Sequence, residues 1–164
     1  MSTRRHRTLL ELATDVVDRI TPTVDPVVPR ALAATNFRQI IDEITNSSTF
    51  PLVLVVATGA QYGKQPGAFR SRDDRVNVVI AGAWSSDVAG SDTEIWTLAD
   101  ACANRFLPGN DDGDAVGADP TPSPAVEING VTYHPLTLRP VAVGAERTCM
   151  NLLLQAINDM RIQS

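Results

Sequence analysis

The sequence predicts a single-domain α+β fold, with a mostly antiparallel central sheet, helices packed on it and a long projecting β-hairpin-like arm. Three observations carry this prediction. Two apolar runs, Leu52-Val53-Leu54-Val55-Val56-Ala57 and Val76-Asn77-Val78-Val79-Ile80-Ala81, have the length and β-branched content of central strands. Three other segments repeat apolar residues at helical spacing. Asn129-Gly130 lies between Val126-Glu127-Ile128 and Val131-Thr132-Tyr133, the pattern of a two-residue type I′ hairpin, because Asn-Gly tolerates positive φ at both centres.

The first apolar run has no polar alternation, so it suits a strand covered on both faces. Between the two runs, residues 58–75 carry Gly59, Gly63, Gly67, Pro66, three arginines and the Asp73-Asp74 pair. This connection is long and polar, and it is able to project.

Taken in order, the chain opens with Arg4, Arg5 and Arg7 in residues 1–7, expected to form a mobile basic tail. Arginine ahead of a helix N-terminus opposes the macrodipole, so these charges have no evident structural use there. Thr8-Leu9-Leu10-Glu11 matches a capping box, and Leu9, Ala13, Val16, Val17 and Ile20 then form one stripe that Pro22 closes. Residues 24–29 hold Pro26 and Pro29 and are expected as an extended link or edge strand. A second helix is predicted from an Asn36 cap, with Gln39 at N3 and Phe37, Ile40, Ile41 and Ile44 on one face.

After the second apolar run, Gly82 and Trp84 suggest a bend. Ser91-Asp92-Thr93-Glu94 predicts a third helix over 92–107, with Ile95, Leu98, Ala99, Cys102 and Phe106 facing the sheet and Pro108-Gly109 as the stop. Residues 108–124 shift to Gly, Asp, Ala and Pro and are expected as a flexible acidic loop. Beyond the hairpin Leu136, Leu138, Val141 and Val143 alternate, while Pro135 and Pro140 demote that strand to an edge or a broken one. Residues 149–162 fit both periods: Leu153, Ile157 and Met160 at helical spacing, Met150, Leu152, Leu154 and Ala156 at period two. Good helix formers tilt the local expectation to helix, and an unpaired sheet edge would pull it to strand.

At 164 residues the chain is long enough for one domain with a self-sufficient core. Its net charge of −5, with Lys64 the single lysine, argues against a general nucleic-acid binder. No apolar stretch follows the basic start, so neither a signal peptide nor a membrane anchor is expected, and a soluble cytoplasmic protein is. Cys102 and Cys149 lie far apart without a C-x-x-C spacing and are expected as buried apolar residues.

No complete catalytic, cofactor or metal signature is present, and an enzyme is not expected. Gly59-Ala60-Gln61-Tyr62-Gly63-Lys64-Gln65 follows a strand but fails as a phosphate loop. Its glycine spacing is one residue short, Gln65 stands where Ser or Thr is needed, and Pro66-Gly67 blocks the following helix. Asn110-Asp111-Asp112-Gly113 with Asp119 lacks the first carboxylate and the bidentate Glu of a calcium loop. His6 and His134 are too few for a histidine-based site, and His134 is expected as a half-buried strand residue. Trp84, Trp96, Tyr62 and Phe69 include the best candidates for contact residues. Trp96 lies off the main stripe of its helix; Trp usually finds a core, and an exposed one marks a partner surface.

The order helix, link, helix, strand, projecting loop, strand, helix, acidic loop, hairpin, strand and a final element resembles the bacteriophage tail terminator (tail completion) proteins and related neck proteins. The resemblance rests on that order, on the strand pair around the arm 59–74 and on the helix 92–107. It implies a small structural protein that assembles as a ring, usually a hexamer, on the end of a tail tube, stops its growth and joins tail to neck. Partners would be other copies, the tube protein and a connector, in the virion tail after assembly in the host cytoplasm, with DNA passing without specific binding. The implied interface comprises Tyr62, Lys64, Phe69, Arg70, Arg72, Asp73, Asp74 and Trp96, with Arg70 and Arg72 pairing to acidic surface. Rings need heterologous contacts between two different patches, which an arm and an edge strand can supply. The rival expectations are a small ligand-binding or enzymatic domain with a cleft near Gly59 and Gly82, and a transient adaptor.

Overall fold

The computed structural model describes residues 3–23, 30–32, 38–46, 51–62, 71–82, 89–107, 126–143, 147–159 and 161–163. The expected cap Asn36 with Phe37, the bend at Trp84 and the acidic loop 108–124 lie outside them. The fold is α+β: a six-stranded, mostly antiparallel sheet with helices on it.

The chain begins with β1 (Thr3–Arg5), then α1 (Leu9–Ile20) and a 3-10 turn (Thr21–Thr23). The capping box is formed as expected: Glu11 N–H donates to Thr8 Oγ1 at 3.1 Å, and Thr8 N–H donates to the Glu11 carboxylate at 3.0 Å. There follow β2 (Arg30–Leu32), α2 (Arg38–Asn46), β3 (Leu52–Tyr62), β4 (Ser71–Ala81), α3 (Ala89–Asn104), β5 (Val126–Ile128), β6 (Val131–Val143), β7 (Arg147–Asp159) and β8 (Arg161–Gln163). Helix α3 starts three residues before Asp92, so the Ser91-to-Glu94 box lies inside its first turns and not at its cap.

The sheet order is β2-β3-β4-β7-β6-β5; β2 runs parallel to β3 and every other neighbour is antiparallel. All six residues Leu52 to Ala57 are buried, as the unbroken apolar run predicts. Val53, Val55 and Ala57 join the larger core with Leu12, Val16 and Ile20 of α1 and Ile95, Ala99, Cys102 and Phe106 around α3. Leu54 and Val56 face the other way, onto Ile40 and Ile44 of α2, with Cys149. Both cysteines are buried and neither is in a disulfide.

The final segment, which fits both periods, is a strand. It is β7, paired along eleven residues with β4 from Ser71↔Asp159 to Ala81↔Cys149 and with β6 on its other side. Two full ladders outweigh local helix propensity. The hairpin forms at Asn129 (φ 51°) and Gly130 (φ 83°), both positive as a type I′ turn requires. Because β5 pairs only with Val131 to Tyr133, the rest of β6 has β7 as its one partner among the described residues. Pro135 and Pro140 therefore lie on an open edge, where a missing N–H is tolerated, and the strand bulges between Pro135 and Thr137.

Candidate functional site

The side of the sheet that carries the larger core is apolar through Ile80, Val78 and Val76, then turns polar at the next two positions of the same face, Asp74 and Arg72. Register builds two rows across the strands. Asp74 lies opposite Ala156, which lies opposite Tyr133; Arg72 lies opposite Asn158, which lies opposite Val131, with Tyr62 of β3 on the other side of Arg72. Residues directly opposite in an antiparallel pair share a face, so this end of the core is a polar floor.

The residues ahead of α1 cover that floor, and Arg7 is the centre of the arrangement. Its guanidinium binds Asp15 bidentately at 2.8 and 2.9 Å from Nη2, with Nε at 3.2 Å, and Nη1 donates to Glu11 at 2.7 Å. Its main chain is held as well: Arg7 N–H donates to Asn158 Oδ1 at 3.0 Å, while Asn158 Nδ2 at 2.8 Å and Arg72 Nη2 at 2.6 Å donate to its carbonyl. Asn158 Nδ2 also donates to Asp74 Oδ2 at 2.9 Å, and Asn129 Nδ2 donates to Asp15 Oδ1 at 2.9 Å. Arg5 adds two hydrogen bonds to Glu11, and β1 pairs with β8.

This corrects the expectation of a mobile basic tail. The Arg7 guanidinium pairs with Glu11 and Asp15 of the adjoining helix, while its main chain is held by Asn158, 151 residues away in sequence, and by Arg72. Asp15, Asp74 and Asn158 are 5%, 0% and 0% exposed, and ion pairing with multiple hydrogen bonds is what permits such burial. Arg5, with Thr8, holds the Glu11 carboxyl down at about 2.

Two buried atoms in the cluster accept or donate no hydrogen bond, the Tyr133 hydroxyl and Asp74 Oδ1. Arg72 Nε is 2.9 Å from Asp74 Oδ1, yet its hydrogen is directed at Oδ2, 3.0 Å away, so the contact is ionic without being a hydrogen bond. Burial pushes the Tyr133 phenol well above its ordinary range, and the charges of Asp15 and Asp74 push the same way, which keeps it neutral.

The structure divides the expected interface. Tyr62 is 59% exposed at the last described position of β3, with the His6 ring edge-on at 5.8 Å and the Arg72 guanidinium 6.0 Å above it. Trp96 is 46% exposed on α3, away from the core. Arg72 and Asp74 instead turn inward, Arg72 pairing with Asp74 and donating to the Arg7 carbonyl. Asp73 faces the opposite side of the sheet, paired with Arg75 and accepting from Gln155 Nε2 at 3.0 Å. Lys64, Phe69 and Arg70 lie outside the described residues.

Gly59 takes φ +73° as the extra residue of a bulge between Thr58 and Ala60, and the strand continues through it to Tyr62. Gly82 follows the other end of the hairpin, where Ala81 pairs with Leu52. Seven residues of strand separate these levels, about 20–25 Å, so the two glycines do not line one cleft. A shallow depression of about 440 Å³ lies elsewhere, lined by Asp15, Asp18, Arg19, Arg105, Glu127, Ile128 and Asn129.

The cluster residues that sequence reasoning missed are Arg7, Asp15, Tyr133 and Asn158, together with the clasp role of Glu11. Two signals pointed to them. Asp15 interrupts the apolar stripe of α1 between Ala13 and Val16, and Asn158 continues the inward alternation of Leu152, Leu154 and Ala156 with a polar residue. Neither the models of known protein families nor the curated proteins give a match to this chain.

Proposed function

We propose that this chain is a structural assembly protein that forms a ring of copies, a hexamer by analogy, on the end of a phage tail tube, ending tube growth and joining tail to neck, as the tail terminators it resembles do. The β3–β4 hairpin carries the reading. Its strands run eleven residues each, and β4 is paired to β7 down to Ser71↔Asp159, so the base of the connection 63–70 is stiff. A stiff base on either side of a connection rich in polar residues, with Tyr62 exposed beside it, suits reach to a neighbour.

Two open edges support the same reading among the described residues: β6 beyond Tyr133, and the outer side of β3 beyond Val56, where β2 ends. They differ in sequence and shape, as the two halves of a heterologous contact must. Each also carries a device against indiscriminate pairing, two prolines and a bulge on one, the Gly59 bulge on the other. Trp96 offers a separate exposed aromatic for a partner. An acidic chain fits a DNA passage that must not retain DNA.

Native mass measurement of the purified protein, alone and mixed with tail-tube subunits, tests the proposal. A closed ring or a complex capping tube ends is expected. A strict monomer indifferent to tubes would refute it, and a thermal-shift response to one nucleotide or metal would favour the ligand-binding alternative.

A further inference from the structure

The polar clasp is asymmetric between what holds and what is held. The holding groups sit on rigid elements: Asp15 on α1, Arg72 and Asp74 on β4, Asn158 on β7, and the two aspartates and the asparagine are at most 5% exposed. The held segment, Thr3-Arg4-Arg5-His6-Arg7, contains no aliphatic side chain, and its ladder to β8 is three residues long. Its described contacts are polar apart from the edge-on His6–Tyr62 ring pair, and a terminal segment held in this way belongs to the least stable part of a fold and opens without unfolding the rest.

What the floor recognises is specific. Asn158 reads the main chain of one extended residue, accepting from its N–H and donating to its carbonyl. Glu11 and Asp15 read the side chain of that residue as a guanidinium, with a planar fork that an ammonium does not match. The receptor also has capacity that residues 3–7 leave unused. The Tyr133 hydroxyl is buried without a hydrogen bond, on the strand position that faces Asp74 across Ala156.

We propose that this cleft is a docking site for an extended, arginine-bearing segment of a partner protein, and that residues 3–7 are its resident stand-in, displaced when the partner's segment enters. The acidic groups supply charge complementarity, Asn158 supplies the backbone register, and the unused Tyr133 hydroxyl favours an incoming segment that satisfies it. The inference stands independently of the ring proposal, because it rests on the occupied cleft and not on the hairpin or the sheet edges.

The probe is a blocked, fluorescein-labelled peptide with the sequence of residues 3–8, titrated by anisotropy against the full-length wild type, Arg7→Ala, and Arg7→Ala combined with Asp15→Asn. Removing the resident side chain raises the competent fraction of the cleft, so Arg7→Ala should bind at least about tenfold tighter than wild type. The double variant should fall back to the wild-type level, and a peptide with alanine at the Arg7 position should not bind. Equal binding by wild type and Arg7→Ala, or by the arginine and alanine peptides, overturns the proposal.

Should Arg7→Ala fail to fold, hydrogen exchange on the wild type decides. Saturating peptide should remove protection from the Arg7 amide while the amides of α1 and β7 keep theirs, and an unchanged Arg7 amide overturns the proposal. Absence of peptide binding together with a concentration-dependent mass that Arg7→Ala abolishes would assign the cleft to a second copy of this chain, and would equally overturn the partner assignment.

Discussion

Arg19 and Arg105 exchange hydrogen bonds: Arg19 Nε donates to the Arg105 carbonyl at 2.8 Å, and Arg105 Nε donates to the Arg19 carbonyl at 3.1 Å. The exchange ties the last turn of α1 to the turn that follows α3, two places where helix-end carbonyls lack intrahelical donors and attract cations. Arg19→Ala and Arg105→Ala should each cost about 1–2 kcal/mol in urea unfolding. The double variant should cost less than the sum, because loss of either bond loosens the geometry of the other. Strict additivity would show that the two bonds act separately.

Glu11 makes the clasp sensitive to acid. Arg5 is the largest cause of its depression to about 2, from an ordinary value of 4.5. A carboxyl whose folded value lies below its unfolded one contributes stability above the unfolded value and loses it as pH falls through the folded one. The contribution is therefore present at neutral pH and fades from about pH 4.5 down to about pH 2. Glu11→Gln should flatten the decline of unfolding free energy over that window relative to wild type. Identical slopes would remove Glu11 from the account.

Gly59 has nothing within 4 Å of where a Cβ would stand, so the cost of a side chain there is conformational and not steric. Gly59→Ala at φ +73° should destabilise by about 1–2 kcal/mol, and Gly59→Asn by less, since asparagine visits the left-handed region more readily. A larger loss for asparagine than for alanine would contradict the open surroundings.

Burial pushes the Cys102 thiol up to about 12. With Cys149 buried too, a thiol reagent such as dithionitrobenzoate should react with native protein only as fast as the chain opens, and at once in denaturant. Fast stoichiometric labelling under native conditions would be inconsistent with the core described above.

Trp96 makes the cleanest probe of a partner surface. Being exposed, Trp96→Ala should leave unfolding free energy within about 0.5 kcal/mol of wild type while weakening ring or tube association. Tyr62→Ala would also disturb His6 and Arg72, so its effect on assembly is read together with that of Trp96.

Sequence disclosed what local chemistry decides. The start of α1 at Thr8, the hairpin at Asn129 and Gly130, and the two-sided burial of Leu52 to Ala57 all follow from a few adjacent residues. The strand β7 was ambiguous because its outward residues Leu153 and Ile157 are half-buried apolar groups, which mimic a helical stripe until the pairing with β4 is known. The clasp was illegible for the same reason. The charges that Arg7 meets, Glu11 and Asp15, lie on the adjoining helix, but the groups that fix its main chain over the sheet, Asn158 and Arg72, are brought near only by tertiary structure.

The double-sided apolar character of β3 leaves that strand without a wet face to forbid slippage. Sliding it by one residue would exchange Val53, Val55 and Ala57 for Leu52, Leu54 and Val56, which keeps both faces apolar, so side-chain size and not polarity is all that opposes the slip within the stem. Polar alignment is stored at the strand's far end, where the extra residue at Gly59 sets Tyr62 beside Arg72 and Thr58 Oγ1 accepts from Asn77 Nδ2 at 2.9 Å. The hydrophilic tip works as a vernier for the greasy stem: its bulge and hydrogen bonds fix the threading that polarity along the stem leaves open.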